Sequence, residues 1–279
     1  FKKKEVVGIE PCANVEIITK KMGYKTYPYY WNDKTSKMVL KEHGRFDLVF
    51  SANTLSHIRN LNNVFRNIYR VLSDKGILII EDPSLLECLK KNTYDQFYNE
   101  HIYVFSTISL NNILKKSNLE IYKVENLDIH GGSLRYYIKK LKNNIKLQNS
   151  FKKQLNKEKN FGLKKISTYL KFKKRVEISK EKLINIFIKL KKKNKKIIGY
   201  GATAKSTTIL NYCKINSKFI EYFLDTTPDK QEKFTPGMKI KIKKYKGINK
   251  NINYAFLGAW NFKKEILKKE KKFIKNGGK

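Results

Sequence analysis

Ile197-Ile198-Gly199-Tyr200-Gly201-Ala202-Thr203-Ala204 is the stretch on which the fold turns. A short apolar run passes directly into a G-x-G-x-x-A turn, and residues 203–212 read as a helix. Residues 219–224 read as the next strand, and Asp225 closes it, 24 positions after Gly201. Strand, glycine turn, helix and acid-tipped strand form a parallel α/β unit able to cradle a phosphate at a helix N-terminus. Pro228 and Pro236-Gly237 mark a loop, residues 255–257 a further strand, and 262–273 a helix. Residues 197–279 are therefore expected to form a Rossmann-like C-terminal domain. Its turn does not say which nucleotide it would take.

Upstream, residues 1–140 alternate in the same way. Short strands are expected at 6–9, 46–51, 76–80, 119–125 and 133–139. Helices are expected at about 13–22, 61–72 and 108–116. In the second of these Leu61, Val64, Phe65, Ile68 and Leu72 share one face. Strands alternating with helices imply a parallel sheet covered on both faces. Residues 141–196 carry 20 Lys and Arg against 3 acids and little strand character, and read as a basic helical connector.

Lys and Arg number 61 and Asp and Glu 24, a net charge of +37. Most of it lies in residues 141–279, at +30. A nucleic-acid site is the obvious functional reading. The basic set holds only 6 Arg, however, and specific recognition favours the guanidinium fork. Lys rises with Ile and Asn, as in an A+T-rich coding sequence, so a solvated surface is expected and no specific nucleic-acid partner. Cys12, Cys88 and Cys213 are far apart, which excludes a CxxC zinc pair or a disulfide framework within the chain. That pattern fits a reducing, cytoplasmic compartment. No apolar run approaches the ~18 residues of a membrane span. The chain opens Phe1-Lys2-Lys3-Lys4 without a Met, and is expected to lack its true N-terminus.

Five places have side chains suited to chemistry. Glu10 tips the first strand, where an acid accepts ribose hydroxyls or simply faces solvent. Asn53 and His57 follow the 46–51 strand and could line a cofactor pocket or serve structurally. Tyr94-Asp95-Gln96-Phe97-Tyr98-Asn99-Glu100-His101 gathers two acids, two phenols and an imidazole after the 76–80 strand. A His oriented by a carboxylate suits general-base work, and a polar capped loop is the alternative. His130-Gly131-Gly132-Ser133-Leu134-Arg135 offers close backbone approach to an anion and a cation for phosphate, or a tight turn. The last place is the Gly199–Lys205 turn itself.

Taken in order, these segments resemble the S-adenosylmethionine-dependent sugar C-methyltransferases, which act on nucleotide-linked deoxy sugars. The match runs through Val7-Gly8-Ile9-Glu10-Pro11, Asn53 to Ile58 followed by Asn60-Leu61-Asn62, Tyr94 to His101, His130 to Arg135, Gly199 to Asn211 with Asp225, Lys230-Gln231 and Phe234 to Gly237, and Ala259-Trp260-Asn261-Phe262. The resemblance implies a zinc-binding N-terminal module, a class I methyltransferase sheet and a second Rossmann-like domain. The chain resembles the last two, with domains expected at 1–140 and 197–279 and the 141–196 connector between them. It is expected to lack the zinc module and the first strand and Gly-rich loop of the methyltransferase sheet. Zinc is expected only in that module, and the fragment alone is expected to be inactive.

By position, the resemblance implies cofactor contacts from Glu10, Asn53 and His57, and catalysis by Tyr98, Glu100 and His101. Asn99 stands where the family has His. It also implies substrate-side roles for His130, Gly131, Gly132, Ser133, Arg135, Gly199, Tyr200, Gly201 and Lys205. The reaction would be C-methylation next to a ketone: His101 removes the α proton, Glu100 orients it and Tyr98 steadies the oxyanion. Rival readings are a methyltransferase with another small acceptor, a nicotinamide oxidoreductase and a basic nucleic-acid binder. Solvent-exchanged protons from the acceptor carbon, NADH titration and salt-dependent binding separate them.

Overall fold

The helix Leu61–Val71 illustrates how the chain builds itself. Asn60 caps it, its side chain accepting the Asn63 N–H at 3.1 Å. Leu61, Val64, Phe65, Ile68 and Val71 are all buried. The helix ends at Val71 because Leu72 turns extended and opens the next strand. The computed structural model describes Lys2 and residues 5–279.

The elements are, in order, β1 (Val7–Ile9), α1 (Ala13–Lys21), β2 (Lys25–Tyr27), α2 (Asp33–His43), β3 (Phe46–Ala52), α3 (Leu61–Val71), β4 (Leu72–Pro83) and α4 (Leu85–Lys91). There follow α5 (Thr107–Lys115), β5 (Leu119–Leu127), β6 (Ser133–Lys140), α6 (Asn149–Phe161) and α7 (Ile166–Lys192). The chain closes with β7 (Ile197–Tyr200), α8 (Ala204–Cys213), β8 (Phe223–Asp225), β9 (Ile242–Lys244), β10 (Tyr254–Leu257), α9 (Lys263–Lys269) and α10 (Lys271–Lys275).

Two compact units result, and neither is one continuous stretch. The first comprises the chain up to Asp82 with Phe105–Leu127 and Leu134–Glu158. The second comprises Pro83–Val104, Asp128–Ser133 and Lys159–Lys279. The expected divisions at 140 and 196 thus differ from the observed ones. The Tyr94–His101 and His130–Gly132 segments pack with the C-terminal fold, and the connector is shared. Its α6 contributes Glu158 to the first unit, where the carboxylate accepts the Thr107 and Ile108 N–H groups at the start of α5. Its α7 lays Phe187 into the second unit's core, with Leu183, Ile184 and Leu190 against it.

In the first unit, β1 and β2 pair in parallel, and a separate four-stranded sheet has the order β3-β4-β6-β5. β3 and β4 are parallel, with an irregularity between Phe46 and Leu48. In the second unit the order is β10-β7-β8-β9 and every pairing is parallel. The strand order reverses at β7, so the ends of β7 and β10 form a topological switch point, where such sheets collect ligands.

Candidate active site

The first unit holds Glu10, Asn53, His57 and Arg135. Glu10 follows β1, and its carboxylate accepts the Cys12 N–H at 2.8 Å. Asn53 follows β3 in a left-handed conformation, φ 50°, and its N–H donates to the Glu81 carbonyl at 2.8 Å. His57 is exposed at the end of the single turn Leu55–His57. Beside them, a groove of about 320 Å³ is walled by Val7, Ile9, Phe50 and Thr54, with Tyr30 and Trp31 nearby. Apolar and aromatic walls with a carboxylate at the strand tip fit an adenosine-bearing cofactor, a flat purine on a ribose. Arg135 is engaged otherwise: its guanidinium meets Glu81 at 2.5 Å and Glu125 at 3.6 Å. An acid-paired Arg is poorly disposed to meet phosphate as well.

In the second unit the Tyr94–His101 segment is ordered by main-chain turns. Asp95 and Gln96 are buried in the single turn Tyr94–Gln96. His101 Nδ1 lies 2.8 Å from the Gln96 carbonyl. A carbonyl only accepts, so Nδ1 carries the proton and Nε2 offers its lone pair. That lone pair faces the Tyr98 hydroxyl at 2.6 Å, with the rings 3.9 Å apart. The Gln96 carbonyl therefore holds the tautomer; Glu100, expected to orient the ring, is exposed on the wall of a cleft. Burial, with Glu100 and Asp95 nearby, pushes the Tyr98 phenol up, so it stays a hydrogen-bond donor.

His130, Gly131 and Gly132 all have positive φ, at 51°, 85° and 122°. A Cβ on Gly131 would lie 2.6 Å from the Trp260 ring. The His130 carbonyl accepts from Gln96 Nε2 at 2.6 Å, and the Gly131 carbonyl from Lys91 at 2.8 Å. Ser133 donates to the Ile129 carbonyl at 3.2 Å. Burial and the Lys205 ammonium lower the His130 pKa, favouring the neutral ring. Lys205, half-buried, donates to Asn261 at 3.1 Å and sits 5.0 Å over the Trp260 ring. Burial pulls its pKa down, with Asp95 and Cys88 acting against that.

The G-x-G turn is tighter than its spacing suggests. A Cβ on Gly199 would lie 2.3 Å from the Phe223 ring, and one on Gly201 2.5 Å from the Ala259 Cβ. Tyr200 is buried, donating to Glu270 at 2.9 Å. Asp225 accepts the Ala202 and Thr227 N–H groups, both at 2.8 Å, so the acid braces its own turn. The groups that front open space are the next ones along. A cleft of about 810 Å³ is lined by Tyr98, Asn99 and Glu100, by Ala202–Ala204 at the start of α8, and by Lys230 and Lys233. Sequence reasoning passed over Gln96, Trp260, Asn261 and the two lysines as individual participants. All but Lys233 were readable as part of a matched segment, but main-chain partners leave no mark on a sequence.

Two family models match. Residues 128–279 match the C-methyltransferase C-terminal domain and residues 1–124 a methyltransferase domain. The chain belongs to the C-methyltransferase family. Its α/β fold is that of the class I methyltransferases, with a second Rossmann-like unit. The C-methyltransferase NovU of Streptomyces niveus is 28% identical over 274 residues, 98% of this chain and 65% of that protein. The chain thus spans a little under two thirds of that relative. Solved structures resemble it more loosely. A methyltransferase of Thermotoga maritima, described as a possible histamine N-methyltransferase, is 20% identical over 49% of this chain and 72% of its own, with a TM-score of 0.35. One from Anabaena variabilis is 12% identical over 48% and 68%, at 0.37. Neither likeness bears on the assignment. Among the described residues no cluster of three or more His, Cys, Asp or Glu could hold a metal ion, and the zinc expectation concerns a segment outside them. Among the same residues no helix is long and apolar enough to cross a membrane.

Proposed function

We propose that the protein methylates a ring carbon next to the ketone of a 4-keto nucleotide-linked deoxy sugar, using S-adenosylmethionine. The observation that carries this reading is the His101 imidazole, whose Nε2 lone pair is presented by the Gln96 carbonyl behind it. A C–H bond is not a nucleophile until a base removes its proton. His101 Nε2 accepts the α proton, and the electron pair moves onto the ketone oxygen. Substrate must first take the place of Tyr98 on that nitrogen. Displaced, the Tyr98 O–H donates to the developing enolate oxygen. S-adenosylmethionine, when bound, supplies an electrophilic methyl group. Glu10, Asn53 and His57 would hold it on the first unit.

The nucleotide diphosphate is assigned to the 810 Å³ cleft. Support comes from the α8 N-terminus and from Lys233 on its wall; Lys230 beside it is already engaged, donating to the Ala202 carbonyl at 2.9 Å and lying 3.8 Å from Asp225. This moves the anion one step beyond the Gly199–Gly201 turn, whose glycines serve packing.

The test is His101→Ala in the complete gene product, given 4-keto nucleotide sugars in deuterated water. Methyl transfer and exchange of the α hydrogen should both vanish, while S-adenosylhomocysteine binding by calorimetry persists. Undiminished turnover would remove His101 from the reaction. Transfer without any exchange-competent α hydrogen would favour a different small-molecule acceptor.

A further inference from the structure

We propose that Trp260 and Asn261, consecutive residues beyond β10, are positioning residues that set the tautomer of His101 by clamping the turn Tyr94–Gln96. The inference rests on the reading of His101 as the base. Trp260 Nε1–H donates to Asp95 Oδ2 at 2.5 Å, and Asp95 is 4% exposed. Lys205 Nζ donates to Asn261 Oδ1 at 3.1 Å. An ammonium only donates, so the amide oxygen of Asn261 faces Lys205 and its nitrogen faces His130 Nδ1, at 3.0 Å. His130 Nδ1 is thereby the acceptor, as its depressed pKa also favours.

From His130 the chain of bonds continues. Its carbonyl holds Gln96 Nε2, and Gln96 is 1% exposed. The Gln96 carbonyl holds His101 Nδ1–H. The two buried residues of one turn are thus held from two sides, Asp95 directly by Trp260 and Gln96 through His130, whose ring Asn261 holds. Gly131 belongs to the same device. Its positive φ and missing Cβ let the indole lie where any other residue would put a carbon 2.6 Å away. The clamp gathers into one network the Tyr94–His101, His130–Gly132, Lys205 and Trp260–Asn261 segments, which are far apart in the chain.

The test reads the ring itself. Ring ¹⁵N shifts of His101 are followed against pH in the chain without substrate or cofactor. The unaltered chain should show Nδ1 protonated and Nε2 as acceptor. Trp260→Phe, which keeps the ring and loses the donor, and Asn261→Leu should both move His101 toward a mixture of tautomers. Asp95→Asn keeps an acceptor for the indole and should retain the original signals. In the complete enzyme the two clamp variants should lower kcat about 10²-fold, with KM for the nucleotide sugar changed less than about threefold. If the variants keep their near-UV circular dichroism and His101 keeps its tautomer, the proposal fails. Should Trp260→Phe not fold, Asn261→Ser decides by the same reading. Because the ring signals need no turnover, a failed clamp and a failed base assignment give different results: only the second leaves His101→Ala active.

Discussion

Asp82, the penultimate residue of β4, is a buried carboxyl of the first unit. It is 1% exposed, and neither carboxyl oxygen has a hydrogen-bond partner among the described residues. Burial pushes its pKa up to about 7, and the nearby Ser56 offsets only part of that. The folded chain then holds a proton that the unfolded chain has released above about pH 4. Stability from this group is complete below that pH and is lost as pH rises towards 7, by up to about 4 kcal/mol. Asp82→Asn should therefore be more stable than the parent at pH 8 and nearly equal to it at pH 4. Thermal melts across that range check this; curves that run parallel would show that Asp82 does not titrate near neutrality. At the candidate site the balance is different, since Tyr98 contributes a donor. Tyr98→Phe should retain cofactor binding and lose about 10²-fold in kcat, read from steady-state kinetics. The nearness of Tyr98 to His101 was legible at this scale, since three positions of one loop separate them. The wiring of His101 was not, because the atom that fixes its ring is a main-chain oxygen, and any residue supplies one.

Elements were legible where apolar periodicity was strong and hidden where the packed face is polar. α3 shows the first case. α2 shows the second: it buries Thr35, Ser36 and Val39, and Ser36 bonds to Asn67 at 2.9 Å. No 3.6-residue apolar stripe announces such a helix. The three-residue strand β2 was likewise unpredicted, too short to carry an alternating pattern. β4 runs four residues earlier than its apolar core, because Leu72 pairs with Phe46 before the irregularity and Gly76 lets the Phe46 carbonyl come close. The glycine turn after β7 was read for its phosphate chemistry, yet two of its residues are spent on packing. Gly199→Ala should destabilise the second unit by about 1–3 kcal/mol, because the new methyl meets the Phe223 ring. Asp225→Asn should cost about 1–3 kcal/mol, since an amide nitrogen cannot accept the N–H that an oxygen now holds. Urea unfolding reads both as a lower midpoint at constant slope. A Gly199→Ala chain as stable as the parent would mean that β7 and β8 yield more than their spacing implies.

Charge acts on the molecule as a whole. At +37 the chain repels itself, and the excess lies chiefly in residues 141–279. Ion pairs are present, but many sit in water: Lys25–Glu42, Arg66–Asp33 and Lys173–Glu177 all join well-exposed partners. Such pairs contribute about 0–1 kcal/mol each and weaken as salt rises. Self-repulsion weakens too, and it sums over many like charges within a screening length of about 10 Å at 0.1 M salt. Repulsion should win, so the melting temperature should rise by several degrees between about 0.02 and 0.3 M NaCl. A falling melting temperature would mean that the ion pairs outweigh the excess charge. The same surface should retain duplex DNA at low salt and release it steeply as salt increases, with no preference between a natural and a scrambled sequence. Retention that survives 0.3 M NaCl, or that distinguishes sequences, would require a built nucleic-acid site in place of a solvated lysine surface.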